Sequence, residues 1–312
     1  MRSLRNAPEG VLSRRGWALF IAMCLIWGIP YLLIKVAVSD ISPVTLVFFR
    51  TVIGAVIIVP IALARGNVGP ALRHWRWIAL YTAVEVALPW FLVSDAELRL
   101  SSSLTALLIA ATPFVGVLLG RLTGSDDRFD ARRLFGLVVG FVGVAVLVGL
   151  NVSVRDLGAA GEIGLVAIGY ALGPLIISRK LADAPPIGVV AMSLVLPAIV
   201  YAPLGLSHLP AAIPSPQVLL AIGLLGVVCT ALAFLLFFAL IADVGPVRAT
   251  VITYVNPAVA LALGVALLGE PLTIGAIAGF ALILAGLFLA TRRAKRGVPV
   301  HERAEEPLVE AR

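Results

Sequence analysis

Three ionisable side chains, Lys35, Arg50 and Glu85, lie inside long apolar runs of this sequence. An ion deep in a hydrocarbon or apolar interior costs at least about 2.5–3.5 kcal/mol, so such a group needs a cavity, a partner or a route to water. Glu85 sits near the centre of its run. It fits a ligand for a substrate amine, a proton carrier, or a static hydrogen bond between helices. Arg50 fits bidentate capture of a carboxylate, pairing with Glu85, or extension of its stem to the surface. One charge of each sign at similar depth suits a zwitterionic amino acid. Lys35, a turn from the end of its run, reads as a snorkelling anchor.

Aromatic residues form a second set. Trp27, Tyr31, Trp90, Tyr170 and Tyr254 fall deeper in apolar runs than Trp17, Trp75 and Trp77, which suit an interfacial belt. Either a cavity wall or ordinary packing would use the deeper five. Pro113 and Pro257 each remove a backbone hydrogen bond in mid-run and mark candidate hinges. Asn256 could satisfy the freed backbone or touch substrate.

Catalytic and metal patterns give little. Asp126, Asp127 and Asp130 spell DDxxD, a magnesium-diphosphate signature that needs a second cluster, and Arg128, Arg132 and Arg133 interleave it as in a solvated loop. His74, His208 and His301 lie in loops or tail, without HExxH, nucleophile-elbow or P-loop context. Cys24 and Cys229 lie in apolar runs, which argues against a disulfide framework or a thiolate metal site. The reading is of no enzyme, cofactor or metal.

The elements that position these residues follow from composition. Of 312 residues, 61% are hydrophobic and 13% charged, whereas a soluble domain carries roughly 25% charged residues. Lipid is the solvent that fits. Apolar windows predict ten helices at 17–37, 43–64, 75–95, 102–121, 134–151, 160–178, 186–206, 217–241, 247–268 and 273–291. The basic start and Ala37-Val38-Ser39 resemble a signal peptide, but the first run is longer than a typical h-region and reads as an uncleaved span.

With the N-terminus in the cytoplasm, twenty of the 24 basic residues fall in inside segments; Arg99 and Arg155 fall outside, and Lys35 and Arg50 lie within spans. Basic loops stay on the cytoplasmic side, so this asymmetry predicts ten spans with both termini inside. It also accounts for the net charge of +7 without a nucleic-acid partner.

The halves look alike. Pro30 and Pro174, Lys35 and Arg179, Pro113 and Pro257, and Gly120 and Gly264 share one offset of 144 residues (174 − 30). A one-residue shift pairs Pro60 with Pro203, Gly136 with Gly279 and Gly143 with Gly286. Five spans per half is an odd number, so the second half would enter the membrane from the opposite side, as in many secondary transporters. GxxxG patterns at Gly136/Gly140 and Gly275/Gly279 predict close helix approach within the chain.

Trp27-Gly28 and Lys35, Ser42-Pro43 and Arg50, the Ala/Thr-rich runs ending at Pro113 and Pro257, and Leu268-Gly269-Glu270 with the Gly279/Gly286 spacing together resemble the ten-helix EamA-like branch of the drug/metabolite transporter superfamily. The resemblance covers residues 17–291. It departs at Gly124-Ser125-Asp126, where Leu-Gly-Glu is usual, and in the sixth span, which lacks a Trp-Gly pair.

The expectation is an all-α integral membrane protein. Its parts are a cytoplasmic tail at 1–16, five-helix repeats at 17–151 and 160–291, and a cytoplasmic tail at 292–312. The resemblance implies a multi-pass protein of the bacterial inner membrane that exports amino acids or related metabolites. The aromatic residues lean the substrate towards aromatic or large apolar amino acids. Glu85 stands as the candidate for proton coupling, and a monomer as the functional unit. A non-transporting scaffold, or a magnesium-dependent transferase using Asp126, Asp127 and Asp130, are the alternatives.

Overall fold

The computed structural model describes residues 13–122, 131–245, 249 and 251–291. Asp126, Asp127, Asp130, Arg248 and the segment 292–312 lie outside the described residues, as does most of 1–16. Among the described residues every regular element is helical. Eight helices are long and apolar enough to cross a membrane: α1 (Arg14–Ala37), α2 (Pro43–Ala64), α3 (Trp75–Ala96), α4 (Ser102–Leu119), α5 (Leu134–Asn151), α6 (Val154–Lys180), α7 (Pro186–Ser207) and α8 (Pro216–Val244). Two shorter apolar helices follow, α9 (Ile252–Leu268) and α10 (Ile274–Ala290). Windows and helices agree to within a few residues, except that α6 starts earlier, at Val154, and α9 later, at Ile252, than predicted.

Local chemistry sets several boundaries. Ser42 begins α2 by accepting the Thr45 N–H at 3.2 Å, with Pro43 at the first helical position, where no N–H is needed. Ser101 caps α4 in the same way through Leu104. Gly269 ends α9 in the left-handed region at φ 66°, where a Cβ would be strained. Bulky apolar side chains also cover the outer faces of the helices. Val56, Phe135, Ile199 and Val200 are all more than half exposed, as expected of surfaces wetted by lipid tails.

The principal packing pairs are α1 with α8 and α9, α6 with α3 and α4, α2 with α7 and α8, α7 with α3, α4 with α9, and α5 with α10. Contacts along each pair give directions. Thr45 reaches the Gly205 carbonyl while Gly188 backs onto Asn67, so α2 and α7 are antiparallel. Trp77 meets Lys180 while Arg99 meets Glu162, so α3 and α6 are antiparallel too. Ser13 and Gly16 meet Asp243 while Trp27 meets Phe237, which sets α1 against α8.

Glycine brings α5 and α10 together. Gly136 backs onto Gly286 and Ala290, and Gly143 onto Gly279 and Ile283, again antiparallel. A Cβ on Gly286 would stand 2.4 Å from the Gly140 nitrogen and 2.5 Å from the Gly136 oxygen. Backbone cannot move aside as a side-chain tip can, so larger residues are excluded there. Gly286→Leu should therefore lower the thermal midpoint of the detergent-solubilised protein, through a loss of about 1–3 kcal/mol or more. Gly149→Ala, on an open helix face, should leave the midpoint unchanged or slightly raised in the same size-exclusion melting assay.

Candidate functional site

Helices α3 and α8 each widen into a six-residue π-helical turn, at Thr82–Ala87 and Val227–Leu232. The two turns start 145 residues apart (227 − 82), so each occupies the corresponding place in its half. Such bulges are costly and cluster at functional positions. In α3 the Leu88 N–H bonds back to Ala83, five residues earlier, and Pro89 supplies no donor to restore the tighter ladder. Glu85 is the fourth residue of the first turn and Thr230 the fourth of the second.

Two glycines of α6 admit the first bulge. A Cβ on Gly169 would lie 2.1 Å from the Val84 carbonyl oxygen, and one on Gly173 would lie 2.0 Å from Glu85 Oε2. That Oε2 is buried with no hydrogen-bond partner. Gly54 of α2 makes comparable room for Thr230, whose Cγ2 would be 2.8 Å from an added Cβ.

Arg50 of α2 joins the two halves. Its Nε donates to Thr230 Oγ1 at 3.0 Å, and its guanidinium carbon lies 3.7 Å from the centre of the Trp90 ring. Thr230 Oγ1 in turn donates to the Leu225 carbonyl at 2.8 Å, so the hydroxyl is pinned from both sides. Arg50 is only 7% exposed, and a desolvated cation over an indole gains about 2 kcal/mol or more. Among the described residues ion pairs join Arg99 to Asp95 and to Glu162, and none joins Arg50 to Glu85. Tyr170 lies within electrostatic reach of both, Tyr31 within reach of Arg50, and Tyr81 within reach of Glu85.

The other expected residues sit elsewhere. Trp27 packs at 4.7 Å against Phe237, edge-on to Phe234. Asn256 is buried; assigned from the surrounding acceptors, its amide nitrogen turns to the Cys24 carbonyl at 3.2 Å and the Ile252 carbonyl at 2.8 Å. It therefore ties α9 to α1. Tyr254 packs part-buried on the largest apolar cluster.

The two prolines differ. Pro113 follows an interruption of α4 at Ala110–Ala111, and Thr112 Oγ1 donates at 2.7 Å to the Ile109 carbonyl that Pro113 leaves free. Pro257 lies within continuous helix. Lys35 is not a snorkelling anchor alone, because its ammonium donates to the Glu97 and Leu100 carbonyls at the end of α3.

The profile of the EamA-like transporter family matches the chain twice, over residues 14–149 and 163–292. The chain belongs to the EamA-like transporter family. It is a multi-pass membrane transporter, and EamA-like relatives are named transporters or efflux pumps rather than enzymes. One is the "Uncharacterized inner membrane transporter YedA" of Escherichia coli strain K12, 30% identical over 262 residues, covering 82% of this chain and 83% of that protein. Another is a "Probable amino-acid metabolite efflux pump" of Salmonella typhimurium strain LT2, 24% identical over 298 residues, covering 89% and 95%. A solved structure described only as "Crystal structure of protein" shares the fold, with a TM-score of 0.64 at 20% identity over 88% of this chain and 96% of that one.

Tyr81 and Thr230 were not singled out in the sequence, yet signals existed. Tyr81 precedes Glu85 by one helical turn, and Thr230 holds the same place in the second bulge as Glu85 in the first, one residue beyond the repeat offset of 144. The Gly173 notch yields a test within this EamA-like site. Gly173→Ala should displace the Glu85 carboxyl and press lightly on its Cβ, 3.1 Å from the added methyl, leaving the fold intact by thermal melting. A misplacement of about 1 Å can cost up to about a hundredfold, so transport in proteoliposomes should fall by at least about tenfold.

Proposed function

We propose that the protein is a secondary exporter of amino acids, leaning towards aromatic or large apolar ones, or of related small metabolites, in the bacterial inner membrane. The observation that carries this reading is that Arg50 and Glu85, of opposite sign and not paired with each other, both lie within reach of Tyr170. A guanidinium and a carboxyl at one depth, walled by Trp90, Tyr170 and Tyr31, match the carboxylate, ammonium and apolar side chain of an amino acid. The name of the Salmonella relative supports the substrate class and the outward direction.

The packing supports ten spans in two inverted repeats, 17–151 and 160–291, which put both termini on one side; the basic inside segments make that side the cytoplasm. Raising every helix number by five, with the count wrapping at ten, turns α1·α8, α1·α9 and α2·α8 into α6·α3, α6·α4 and α7·α3, all of which pack. The pairs α2·α7, α4·α9 and α5·α10 map onto themselves. Alternating spans also require the antiparallel directions of α1·α8, α2·α7, α3·α6 and α5·α10. Helix α9, with 17 residues, is about 26 Å long, close to a hydrocarbon core of about 30 Å.

Alternating access then exchanges the conformations of the two halves about the central residues. With Arg50 buried against Trp90 and Thr230, the conformation here is occluded. Pro113, Pro257 and the two bulges are the places where the helical ladder yields, and are assigned as hinges. Trp27, packed on α8, and Tyr254 and Asn256 of α9 lie away from this centre and are assigned as residues that meet substrate only when the halves exchange conformation. The exporter works as a monomer.

Purified protein in liposomes loaded with a labelled amino-acid panel should release phenylalanine, tryptophan or leucine faster than protein-free liposomes. No release of any amino acid would end the substrate assignment. Protons are the proposed coupling ion, carried by Glu85. Glu85→Gln should transport downhill but lose the response to an imposed pH gradient; a retained wild-type response would exclude coupling through this carboxyl.

A further inference from the structure

Glu97, the residue after α3, is wholly buried, and neither of its carboxyl oxygens has a hydrogen-bond partner. The surroundings make that state informative. Lys35 of α1 places its ammonium beside this residue but donates to the Glu97 and Leu100 backbone carbonyls, 2.8 Å in the second case, capping the end of α3. An ionised carboxylate next to an ammonium forms short charge-assisted hydrogen bonds. The ammonium bonds this residue's own carbonyl and not its carboxyl.

A second carboxyl nearby shows the opposite pattern. Glu270, after α9, accepts four hydrogen bonds from the backbone N–H groups and hydroxyls of Ser102 and Ser103 at the start of α4. Burial opposes its charge, but those donors outweigh burial and hold it below the usual glutamate range. Burial pushes the Glu97 carboxyl well above that range; Lys35 pulls it back, and Glu270 adds to the rise. Tyr31 of α1 completes the groups facing Glu97 and also lies within reach of Arg50. On its own element, Arg99 is committed to Asp95 and Glu162.

We propose that Glu97 is a proton-binding site at the outer end of the transport path, neutral while the ends of α1, α3 and α4 are packed together and ionised when they part. The assignment of that end as outer rests on the topology given under Proposed function. Closing the outer side takes one proton from the external water, and opening returns it. A carboxyl that opening exposes reverts to an ordinary glutamate value of about 4.3. The closed state binds the proton more tightly, so acid favours closure. Opening gains as pH rises above the ordinary value and through the raised one. Tyr31 places this site next to the central one, so external pH acts on the same gate that substrate must pass.

The test reads opening directly. Leu100→Cys, at 3% exposure, is introduced with Cys24 and Cys229 replaced by alanine. A membrane-impermeant maleimide is added outside right-side-out proteoliposomes, and each rate is normalised to Ser39→Cys, exposed in the loop after α1. The normalised rate should rise roughly tenfold between about pH 5 and about pH 8, as one unit of differential proton affinity gives. Glu97→Gln and Glu97→Leu, both permanently neutral, should hold it low at every pH; leucine removes the unsatisfied oxygens and so favours folding.

A flat profile with Glu97 present, or a pH response that survives in either variant, overturns the proposal. Infrared spectra of the unmodified protein at neutral pH should show a protonated-carboxyl band that Glu97→Gln removes; its absence also overturns the proposal. Labelling uses no substrate, so failure to transport amino acids would count against the proposed function alone.

Discussion

A guanidinium held in the middle of an apolar helical bundle is the constraint on which the centre of this protein depends. Arg50 cannot shed its charge, so the cost of burial must be met by fixed neighbours. Trp90 offers the face of its ring and Thr230 a hydroxyl already oriented by the Leu225 carbonyl. One neighbour comes from α3 and the other from α8, so Arg50 makes the two halves of the chain meet at a single side chain. Neither neighbour is a carboxylate, and Glu85 keeps its own place beside Gly173. A charge solvated by dipoles and an aromatic face can exchange them for another partner more readily than one locked in an ion pair.

The backbone departs from regular helix at the same level. Bulges at Thr82–Ala87 and Val227–Leu232 turn Glu85 and Thr230 inward, and glycines in the facing helices make space for them. Glycine works differently at the edge of the bundle, where Gly136, Gly143, Gly279 and Gly286 press α5 and α10 together. The first set leaves room for side chains at the site. The second brings backbone onto backbone and makes a firm seam between the two helices.

Three buried or part-buried carboxyls show how environment divides one chemistry into separate roles. Glu270 meets four donors and clamps the start of α4 to the end of α9. Glu85 leaves Oε2 without a donor in the notch at Gly173, and Glu97 leaves both oxygens without one beside an ammonium engaged elsewhere. The donors around each group, more than its depth, distinguish the three.

Much of this architecture could be read from the chain alone, because hydrocarbon demands runs of apolar residues and helices that satisfy their own backbone. Those demands are local, and they located the helices to within a few residues as well as the buried charges Arg50 and Glu85. The repeat offset of prolines and glycines led to the expectation of two related halves, since backbone breaks leave marks in composition. Family membership followed from the same strings. What only the tertiary structure decided were the partners. No local pattern says that Trp90 and Thr230 solvate Arg50, that Asn256 holds Cys24, that Lys35 caps α3, or that Glu97 lies buried past the end of an apolar run. These are contacts between residues distant in sequence, set by how helices cross and by which glycines let them approach, and one-dimensional spacing does not carry that information.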